Sequence, residues 1–498
     1  MEKSKKWPQI LIGIVLLSAG IFVGKIWFNP PVAIPLPVAY TNNEGGNTGV
    51  IPSSYDPVNG KIIEVKDGDK IQDAVVEAKS GDLIRVYPGV YNETVYIDKD
   101  GITLQGVTIN SEWAILDGQS QLNDAFLYSG NNITIENFKI VKYKGNAIMG
   151  QAGNNYVIRN NWIIDTGVYG IFPQFGKNGL IEYNILSGIE DAAIYVGMCD
   201  NVDVKFNEVF ESVAGIEIEN SRHALVESNY VHDNTGGILV FITPGLPIKT
   251  TFDVIVRNNF VVNNNTPNFA IPGSMVSSIP RGTGIVIMAA DDVIVENNII
   301  SGNINAGIAI TDLSFGAQIS KDPDSDPYPD RLVILDNFMH NNGTDPIEEI
   351  KVAMMTQFSE LGPDIVAVGG GTGSTIRNRN QYRTFGIGGY GEATITNTKN
   401  VKTFLLDEMV QPRSITASER AKLTYYGICA GCHAYDIKMI GPPTKIIQAL
   451  YKDNPEGIAE YAANPVKKRQ DFAEMPPQKH IDDETRLEVA KFMLSLTK

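Results

Sequence analysis

Short apolar segments separated by polar bends recur through the middle of the chain at a nearly constant interval. Seven of these segments are followed by an asparagine: Asn161, Asn184, Asn207, Asn229, Asn259, Asn298 and Asn337. Their separations are 23, 23, 22, 30, 39 and 39 residues. A second apolar element lies between successive asparagines, as in Ala193-Ile194-Tyr195 and Ala214-Gly215-Ile216. A period near 23 residues with insertions predicts stacked coils of short parallel strands, with at least two strands in each coil.

The recurring asparagines are interpreted as structural residues. Asparagine tolerates the left-handed conformation at a tight bend, and stacked copies can hydrogen-bond from one coil to the next. Before the repeat begins, Ile71 to Ala78 has the pattern of a short amphipathic helix and short strands follow from Asp82. This helix is predicted to cap the open end of the stack.

The repeat, which covers about Ile62 to Phe404, resembles right-handed parallel β-helix proteins. That group contains pectate lyases, polyuronate epimerases, glycoside hydrolases and many binding proteins. The resemblance implies the fold and its handedness, but it is weak for activity because one fold hosts many functions. Proteins of this kind also resemble the periplasmic factor that accompanies nitrous-oxide reductase maturation, which implies an assembly role as one alternative.

A different signal stands near the C-terminus, where residues 429–433 form a C-x-x-C-H pentapeptide. Cys429 and Cys432 could form thioethers with a haem while His433 binds the iron. Met475, on a loop stiffened by prolines, is the expected sixth ligand, and His480 is its rival. A zinc or disulfide site is the less favoured alternative because the chain has only 3 cysteines.

Two other methionines are expected to be core residues. Met439 lies only six residues after His433, and Met493 is on the apolar side of the last predicted helix. That helix runs from Asp482 to Leu496, with Asp482 or Asp483 as its cap.

Residues 416–498 resemble a small bacterial monohaem class I cytochrome c. The matching features are a helix around Ser418 to Tyr426, the C-x-x-C-H pentapeptide, the Met475 loop and the C-terminal helix. The resemblance implies covalent haem c with His433 and Met475 as axial ligands to the iron. It also implies that the Pro442 carbonyl accepts a hydrogen bond from the His433 imidazole.

The N-terminus predicts export and a membrane anchor. Three lysines among the first six residues precede an apolar run from Ile10 to Val23, and an uncleaved transmembrane helix over 1–28 is favoured over a removed signal peptide. A Pro-, Gly- and Asn-rich linker over 29–61 follows. The soluble domains are therefore expected in the periplasm of a bacterial cell envelope, anchored to the inner membrane.

The predicted fold class is mainly β: a parallel β-helix followed by a small all-α cytochrome c domain, with an N-terminal transmembrane helix. The β-helix is assigned to 62–404, an exit linker to 405–415 and the cytochrome domain to 416–498. A short linker is expected to keep the last domain close to the last coils. The net charge of −16 excludes nucleic acid as a partner. Cys199 is expected to be a buried small hydrophobe.

Charged residues on the predicted β-helix are candidates for catalysis. Paired carboxylates can act as acid and base on a glycan, and a histidine can abstract a proton. The candidates are Glu190, Asp191, Glu217, Glu219, His223, His232, Arg281, Asp291 and Asp292. Solvated outer faces are the favoured interpretation, because any β-helix exposes charged residues.

Three insertions add further expectations. Residues 241–251 and 263–282 interrupt neighbouring coils and are predicted to form a ridge for docking. In the third, Asp322, Asp324, Asp326 and Asp330 alternate with other residues, a spacing that could provide oxygen ligands for Ca²⁺. A solvated turn is the favoured alternative there.

The function predicted from these features is one-electron transfer by a membrane-anchored envelope protein. Haem c would carry the electron, the β-helix would be a scaffold, and redox proteins would be the partners. The first alternative is a protein that binds or modifies a polysaccharide as a lyase, epimerase or hydrolase, with a glycan as partner. The second alternative is a periplasmic assembly factor.

Overall fold

Three short strands in each coil build the central part of the molecule. The computed structural model describes residues 60–497 except 314–321, 370, 413–415, 431, 437, 439, 470, 473–474, 476 and 480. The predicted transmembrane segment 1–28 and all but the end of the predicted linker 29–61 lie outside these residues. In the described part of the chain, no helix is both long enough and apolar enough to cross a membrane.

The strands stack into three parallel sheets, which we call A, B and C. Sheet A contains β1 (Ile62–Val65), β2 (Leu83–Val86), β5 (Thr103–Gly106), β8 (Thr134–Glu136), β11 (Val157–Arg159), β14 (Lys177–Glu182), β17 (Asp200–Lys205), β20 (Arg222–Glu227), β23 (Phe252–Arg257), β26 (Asp291–Glu296), β29 (Val333–Leu335), β32 (Thr375–Ile376) and β34 (Gly391–Glu392). Sheet B contains β3 (Gly89–Tyr91), β6 (Ala114–Asp117), β9 (Lys139–Val141), β12 (Trp162–Ile164), β15 (Ile185–Ser187), β18 (Glu208–Phe210), β21 (Tyr230–His232), β24 (Phe260–Val262), β27 (Ile299–Ser301) and β30 (Phe338–His340). Sheet C contains β4 (Val95–Ile97), β7 (Phe126–Tyr128), β10 (Ile148–Gln151), β13 (Tyr169–Gln174), β16 (Ala192–Gly197), β19 (Ala214–Glu219), β22 (Gly236–Phe241), β25 (Thr283–Met288), β28 (Ala306–Thr311), β31 (Ile365–Val368) and β33 (Thr384–Phe385). The predicted parallel β-helix is therefore observed.

The interior of the stack is filled by aliphatic side chains in register. Ile171 pairs with Ile194, which pairs with Ile216, and all three are completely buried. Successive side chains of a strand point to opposite faces of the sheet. The residues on either side of each isoleucine in its own strand therefore face outward. At the first coil, helix α1 (Ile71–Glu77) packs Ile71 and Val75 into the same core, as a cap should.

The recurring asparagines form a buried ladder between sheets A and B. The Nδ2 of Asn184 donates to Asn207 Oδ1 at 3.0 Å, and the Nδ2 of Asn207 donates to Asn229 Oδ1 at 3.0 Å. The same bond links the pairs 161–184, 229–259, 259–298 and 298–337. The left-handed residue is the one before each asparagine, such as Tyr183 and Phe206, each with φ 55°. The ladder asparagine is thus used for its hydrogen bonds rather than for its tolerance of positive φ.

A second ladder, which the sequence analysis missed, runs along the bend that follows sheet B. It contains Asn234, Asn264, Asn303 and Asn342, whose side chains are linked in order by Nδ2 to Oδ1 bonds of 3.0, 3.1 and 3.2 Å. Two buried amide ladders therefore fix the register of successive coils.

The C-terminal residues form a small helical cluster. Its helices are α3 (Ala417–Thr424), α4 (Thr444–Leu450), α5 (Pro455–Ala463) and α6 (Asp483–Ser495), with a π-helical turn at Tyr425–Cys429. Helix α2 (Glu348–Met355) and 3₁₀ turns at Met275–Ser278 and Arg379–Gln381 lie within the β-helix region. Asp482 caps α6 by accepting a bond from the Thr485 N–H at 2.8 Å, one of the two caps expected.

An extended segment, residues 398–410, which we call the strap, connects the two regions. It runs along the outside of sheet A toward earlier coils: Arg257 Nη1 donates to the Thr398 carbonyl, Phe404 N donates to Asp203 Oδ1, and Val410 N donates to Asn155 Oδ1. The helical cluster therefore lies beside the early coils. The expectation that a short linker would keep it beside the last coils is wrong. The strap follows this path because side chains of sheet A form hydrogen bonds with its main chain at successive coils.

Candidate functional site

Two acidic residues interrupt an apolar surface on the outside of sheet C. Glu217 lies in register between Tyr195 and Leu239, and Glu219 lies in register between Gly197 and Phe241. Ile216 and Ile218 point into the core, so both glutamates face outward from the same strand. The surrounding outward residues form a continuous apolar cluster.

Both glutamates are buried although they face outward. Glu217 is 2% exposed and Glu219 is 7% exposed. Burial raises the pKa of Glu219 from 4.5 to about 7, because removal from water disfavours the charged form. Glu217 Oε1 has no hydrogen-bond partner among the described residues. These are therefore not the solvated side chains that the sequence analysis favoured.

Asp191 joins the pair from the bend before β16. Burial, and then the nearby Glu219, hold the pKa of Asp191 well above its usual range. Burial, and then the nearby Asp191, do the same for the pKa of Glu217. Carboxyl groups in this relation share protons, because two charges close together in a buried site repel. Glu190, the fourth predicted acid of this group, is exposed at the rim of the same site.

Three aromatic rings stand beside the acids. The ring centres of Phe172 and Tyr195 are 4.5 Å apart with planes 20° apart, and Tyr169 lies 4.8 Å from Phe172 and 4.5 Å from Tyr195. A Cβ at Gly197 would lie 2.9 Å from the Phe172 ring, so glycine is needed for this packing. The rings give the site an apolar wall next to its carboxyl groups.

The acids and rings open into a cavity of about 2130 Å³. One wall is the outside of sheet C. A second wall comes from the insertions at 241–251 and 263–282, which contribute Leu246, Met275 and Val276 among others. The insertions predicted to form a docking ridge therefore fold over sheet C and enclose it. The third wall is the helical cluster, which contributes Tyr426 and Met475.

Contacts between the helical cluster and early coils hold this third wall in place. Asn123 Nδ2 donates to Gln478 Oε1 at 3.0 Å, and Gln151 Nε2 donates to Thr424 Oγ1 at 3.3 Å. An Arg420 guanidinium N–H also donates to the Tyr96 hydroxyl. Ile428 packs against the apolar cluster of sheet C.

The residues predicted to hold haem lie at or near this wall. Cys432, His433 and Met475 line the cavity, whereas Cys429 packs inside the helical cluster. His433 Nδ1 lies 2.8 Å from the carbonyl oxygen of Pro442. Burial raises the pKa of the Cys429 thiol to about 12 and that of Cys432 to about 11. Both thiols are therefore protonated and weakly reactive in this structure.

The remaining cysteine and two competing ligands can also be placed. Cys199 is completely buried inside the β-helix, and burial raises the pKa of its thiol to about 12, as expected for a packing residue. Met493 is buried in the core of the helical cluster. Met439 and His480 lie outside the described residues.

The other predicted catalytic residues are not brought to the cavity acids. Their partners are local: Asp291 and Asp292 pair with Arg331, Arg281 pairs with Asp345, His223 contacts Asp200, and His232 contacts Glu208 and Asp233. Each of these residues therefore has a charged partner close to it, and the sheet C acids remain as the candidate site.

Phe172 and Tyr195 line the cavity, and Gln174 lies in register with Gly197 on the same sheet, but all three were missed. Gln174 is buried and its side-chain oxygen and nitrogen both lack a partner among the described residues. One sequence pattern could have identified them: strands of sheet C are apolar on both faces, which indicates that another part of the chain covers the outer face of the sheet.

The comparisons with known proteins concern the β-helix. A protein-family profile described as periplasmic copper-binding protein (NosD) matches residues 80–274, which is less than half of the chain. No curated protein matches.

Solved structures with a similar fold include three carbohydrate-related proteins. The mannuronan C-5 epimerase AlgE6 A-module of Azotobacter vinelandii has 13% identity and a TM-score of 0.45, covering 62% of this chain and 78% of its own. A DFA-IIIase of Arthrobacter chlorophenolicus has 12% identity and a TM-score of 0.42, covering 68% and 100%. An alginate lyase of a Paenibacillus species has 14% identity and a TM-score of 0.39, covering 63% and 99%. Likeness at this level carries no argument about activity.

The prediction of haem c and Ca²⁺ as cofactors is corrected by these findings. The family match carries a copper-binding description and ends before the helical cluster, so it offers no support for haem. Within the described residues, no three His, Cys, Asp or Glu side chains are grouped so that they could hold a metal ion. The C-x-x-C-H pentapeptide stands in the sequence, but neither finding assigns it a cofactor. The electron-relay function depended on that haem and is not carried forward.

The calcium prediction has a local physical reason for its failure. Asp322 accepts a bond from the Lys249 ammonium at 2.5 Å, and the Gly245 N–H donates to the same carboxylate oxygen at 3.0 Å. Asp326 accepts from the Tyr328 N–H and Asp330 accepts from the Thr372 N–H, while Asp324 is exposed. A lysine thus supplies the positive charge at Asp322, and the other aspartates do not converge on one point.

Proposed function

We propose that this protein binds and modifies a polysaccharide in the cavity above sheet C. The observation that supports this is a pair of buried carboxyl groups, Glu217 and Glu219, beside an aromatic wall in a large cavity. A small-molecule site usually has a volume of about 300–1,000 Å³. A cavity of about 2130 Å³ suits a longer ligand such as several linked sugar rings.

The two glutamates face outward two residues apart on the same strand. Their Cα positions are therefore about 6.6 Å apart along the strand, and the rotamers of the two side chains set the separation of the carboxyl groups. Carboxyl groups roughly 6.5–9.5 Å apart leave room for a water molecule between catalyst and sugar, as in inverting glycoside hydrolases. General acid and base hydrolysis of a glycosidic bond is therefore the reaction that this pair supports best.

The raised pKa values suggest a role for each carboxyl. With a pKa of about 7, Glu219 holds its proton for part of the time at neutral pH and can donate it to the glycosidic oxygen. Asp191 contributes to the raised pKa of Glu217, so these carboxyl groups compete for protons, and one that loses its proton can accept a proton from the attacking water. The Phe172 and Tyr195 rings would pack against the apolar faces of the sugars.

The test is an activity assay on the full-length protein with a panel of neutral, cationic and acidic polysaccharides, following new reducing ends. Glu219→Gln and Glu217→Gln should each lower the rate by about 100-fold or more, since general acid–base catalysis contributes about 10²–10⁴-fold. Glu211→Gln, at an exposed bend, should keep the activity. If no polysaccharide is bound or changed, or both variants keep full activity, the proposal is wrong.

A second candidate function is a role in assembling a periplasmic metalloenzyme, and the match to a periplasmic copper-binding protein over residues 80–274 favours it. The described residues do not fit copper, because no group of three His, Cys, Asp or Glu side chains could hold a metal ion. We therefore propose no copper step. Deleting the gene and measuring the metal content of nitrous-oxide reductase would test this role, and an unchanged metal content would reject it.

The same family description supports a periplasmic location, and we propose that the N-terminal segment anchors the protein to the inner membrane. Carbonate extraction of membranes should leave the protein in the pellet. Release of a shortened protein that begins after residue 28 would show instead that the segment is a cleaved signal peptide.

A further inference from the structure

We infer that the cavity selects a saccharide with a free ammonium group, an amino-sugar polymer, over one with uronate carboxylates. This inference rests on the proposed polysaccharide function and names its substrate class. It comes from the charges and the unpaired acceptors that face the cavity.

The β-helix side of the cavity is acidic. Glu190, Asp191, Glu217 and Glu219 come from two adjacent coils and line one continuous surface. In their ionised form these carboxyl groups would attract an ammonium group and repel a uronate. The interaction would be strongest at Glu217 and Glu219, which are shielded from bulk water.

An unpaired acceptor in the buried part of the cluster provides a second, independent observation. Glu217 is 2% exposed, and its Oε1 accepts no hydrogen bond from any described residue. A buried acceptor without a partner is unfavourable. An ammonium group carries three donors and no acceptor, so it could supply the missing bond and the missing charge together.

Cations of the protein itself do not neutralise this cluster. Lys249, which lines the cavity, pairs with Asp322. Lys438 pairs with Asp471, and Lys144 is exposed at the rim. Lys142 also lines the rim, and His433 faces the cavity from the helical cluster. Within the described residues, no lysine or arginine forms an ion pair with the four acids.

Repulsion between these acids predicts a proton change on binding. Without a cation, burial and mutual repulsion keep a proton on Asp191 or Glu217. A bound ammonium would stabilise the ionised form and release that proton into solution. Calorimetry in two buffers with different ionisation enthalpies measures such a release directly.

The experiment compares three oligosaccharides of equal length by calorimetry with the full-length protein: a glucosamine hexamer, an N-acetylglucosamine hexamer and a mannuronate hexamer. We expect the glucosamine hexamer to bind at least tenfold more tightly than either of the others and to release protons. Glu217→Gln should reduce this preference at least fivefold, whereas Glu211→Gln, exposed outside the cavity, should keep it. A thermal melt of each variant checks folding.

The outcomes separate the two proposals. Equal or tighter binding of the acetylated or uronate hexamer overturns the amino-sugar inference and leaves the polysaccharide function standing. A preference for glucosamine that Glu217→Gln leaves unchanged also overturns the inference, because the attraction would then come from elsewhere. If none of the three binds and the polysaccharide panel shows no turnover, the proposed function itself fails.

Discussion

The asparagine ladder and the sheet C acids both consist of buried polar side chains of the β-helix. They differ in whether their hydrogen-bonding atoms have partners. Asn207 is 1% exposed and its amide is bonded on both sides, to Asn184 and Asn229. Glu217 is 2% exposed and one of its oxygens has no partner among the described residues. A buried polar group that is fully bonded stabilises a fold, whereas one left unbonded costs stability.

This difference separates structural from functional polar residues in a protein whose repeats are otherwise alike. The ladder repeats over seven coils and is explained by stability alone. The acids occur in two adjacent coils and destabilise the chain in the form described here. Residues that cost stability are expected at sites that interact with something else.

The largest effect is expected from breaking the ladder. Asn207→Ala removes the acceptor for the main-chain and side-chain N–H groups of Asn184 and the donor to the Ile181 carbonyl. Each unbonded buried group costs about 1–3 kcal/mol, so the free energy of unfolding should fall by about 4 kcal/mol. Urea denaturation measures it. Asn400→Ala, at an exposed position, should change it by less than about 0.5 kcal/mol. A similar change in both variants would mean that the ladder is not stabilising.

Replacing an acid of sheet C should raise the free energy of unfolding rather than lower it, and the size of this effect should depend on pH. Glu219 has a pKa of about 7 in the folded protein against 4.5 as its ordinary value. Between these values the folded state binds more protons, so the contribution of Glu219 to stability is fully present below about pH 4.5 and is lost as the pH rises through 7. The loss should reach about 3 kcal/mol. In Glu219→Gln this part of the pH dependence should disappear, and urea denaturation at pH 4.5 and pH 8 measures it. An unchanged pH profile would show that Glu219 is not buried as an acid.

A smaller effect is expected at the strap. Arg257 bonds Thr398 and Val401 of the strap and pairs with Glu227 at 2.7 Å. Arg257→Met leaves the partly buried Glu227 without its partner and should cost about 2 kcal/mol. It should also make the strap more sensitive to limited proteolysis. Arg281→Met, which removes an exposed pair with Asp345 outside the strap, is the control. Equal cleavage of both variants would show that Arg257 does not hold the strap.

Several features could be read from the sequence because they depend on local periodicity. The spacing of Asn161, Asn184 and Asn207 predicted stacked coils and hydrogen bonds between them, and the Asp482 signal predicted the start of the last helix. Glu217 and Glu219 were among the candidate residues, but alternation alone placed them on an outward face and hence in water. The sequence offered no means to see that an insertion and a distant helical cluster cover that face.

The amino-acid sequence by itself determined the coil: strand length, bend positions and the asparagine ladders follow from side-chain size and hydrogen bonding between neighbouring coils. The tertiary structure alone decided what covers sheet C. The strap returns the helical cluster to the early coils, through bonds such as that from Val410 N to Asn155 Oδ1, which are 255 residues apart. Such a contact leaves no periodic pattern in the sequence, because it joins two segments once. The insertions and the helical cluster together cover Glu217 and Glu219, and therefore form the candidate site.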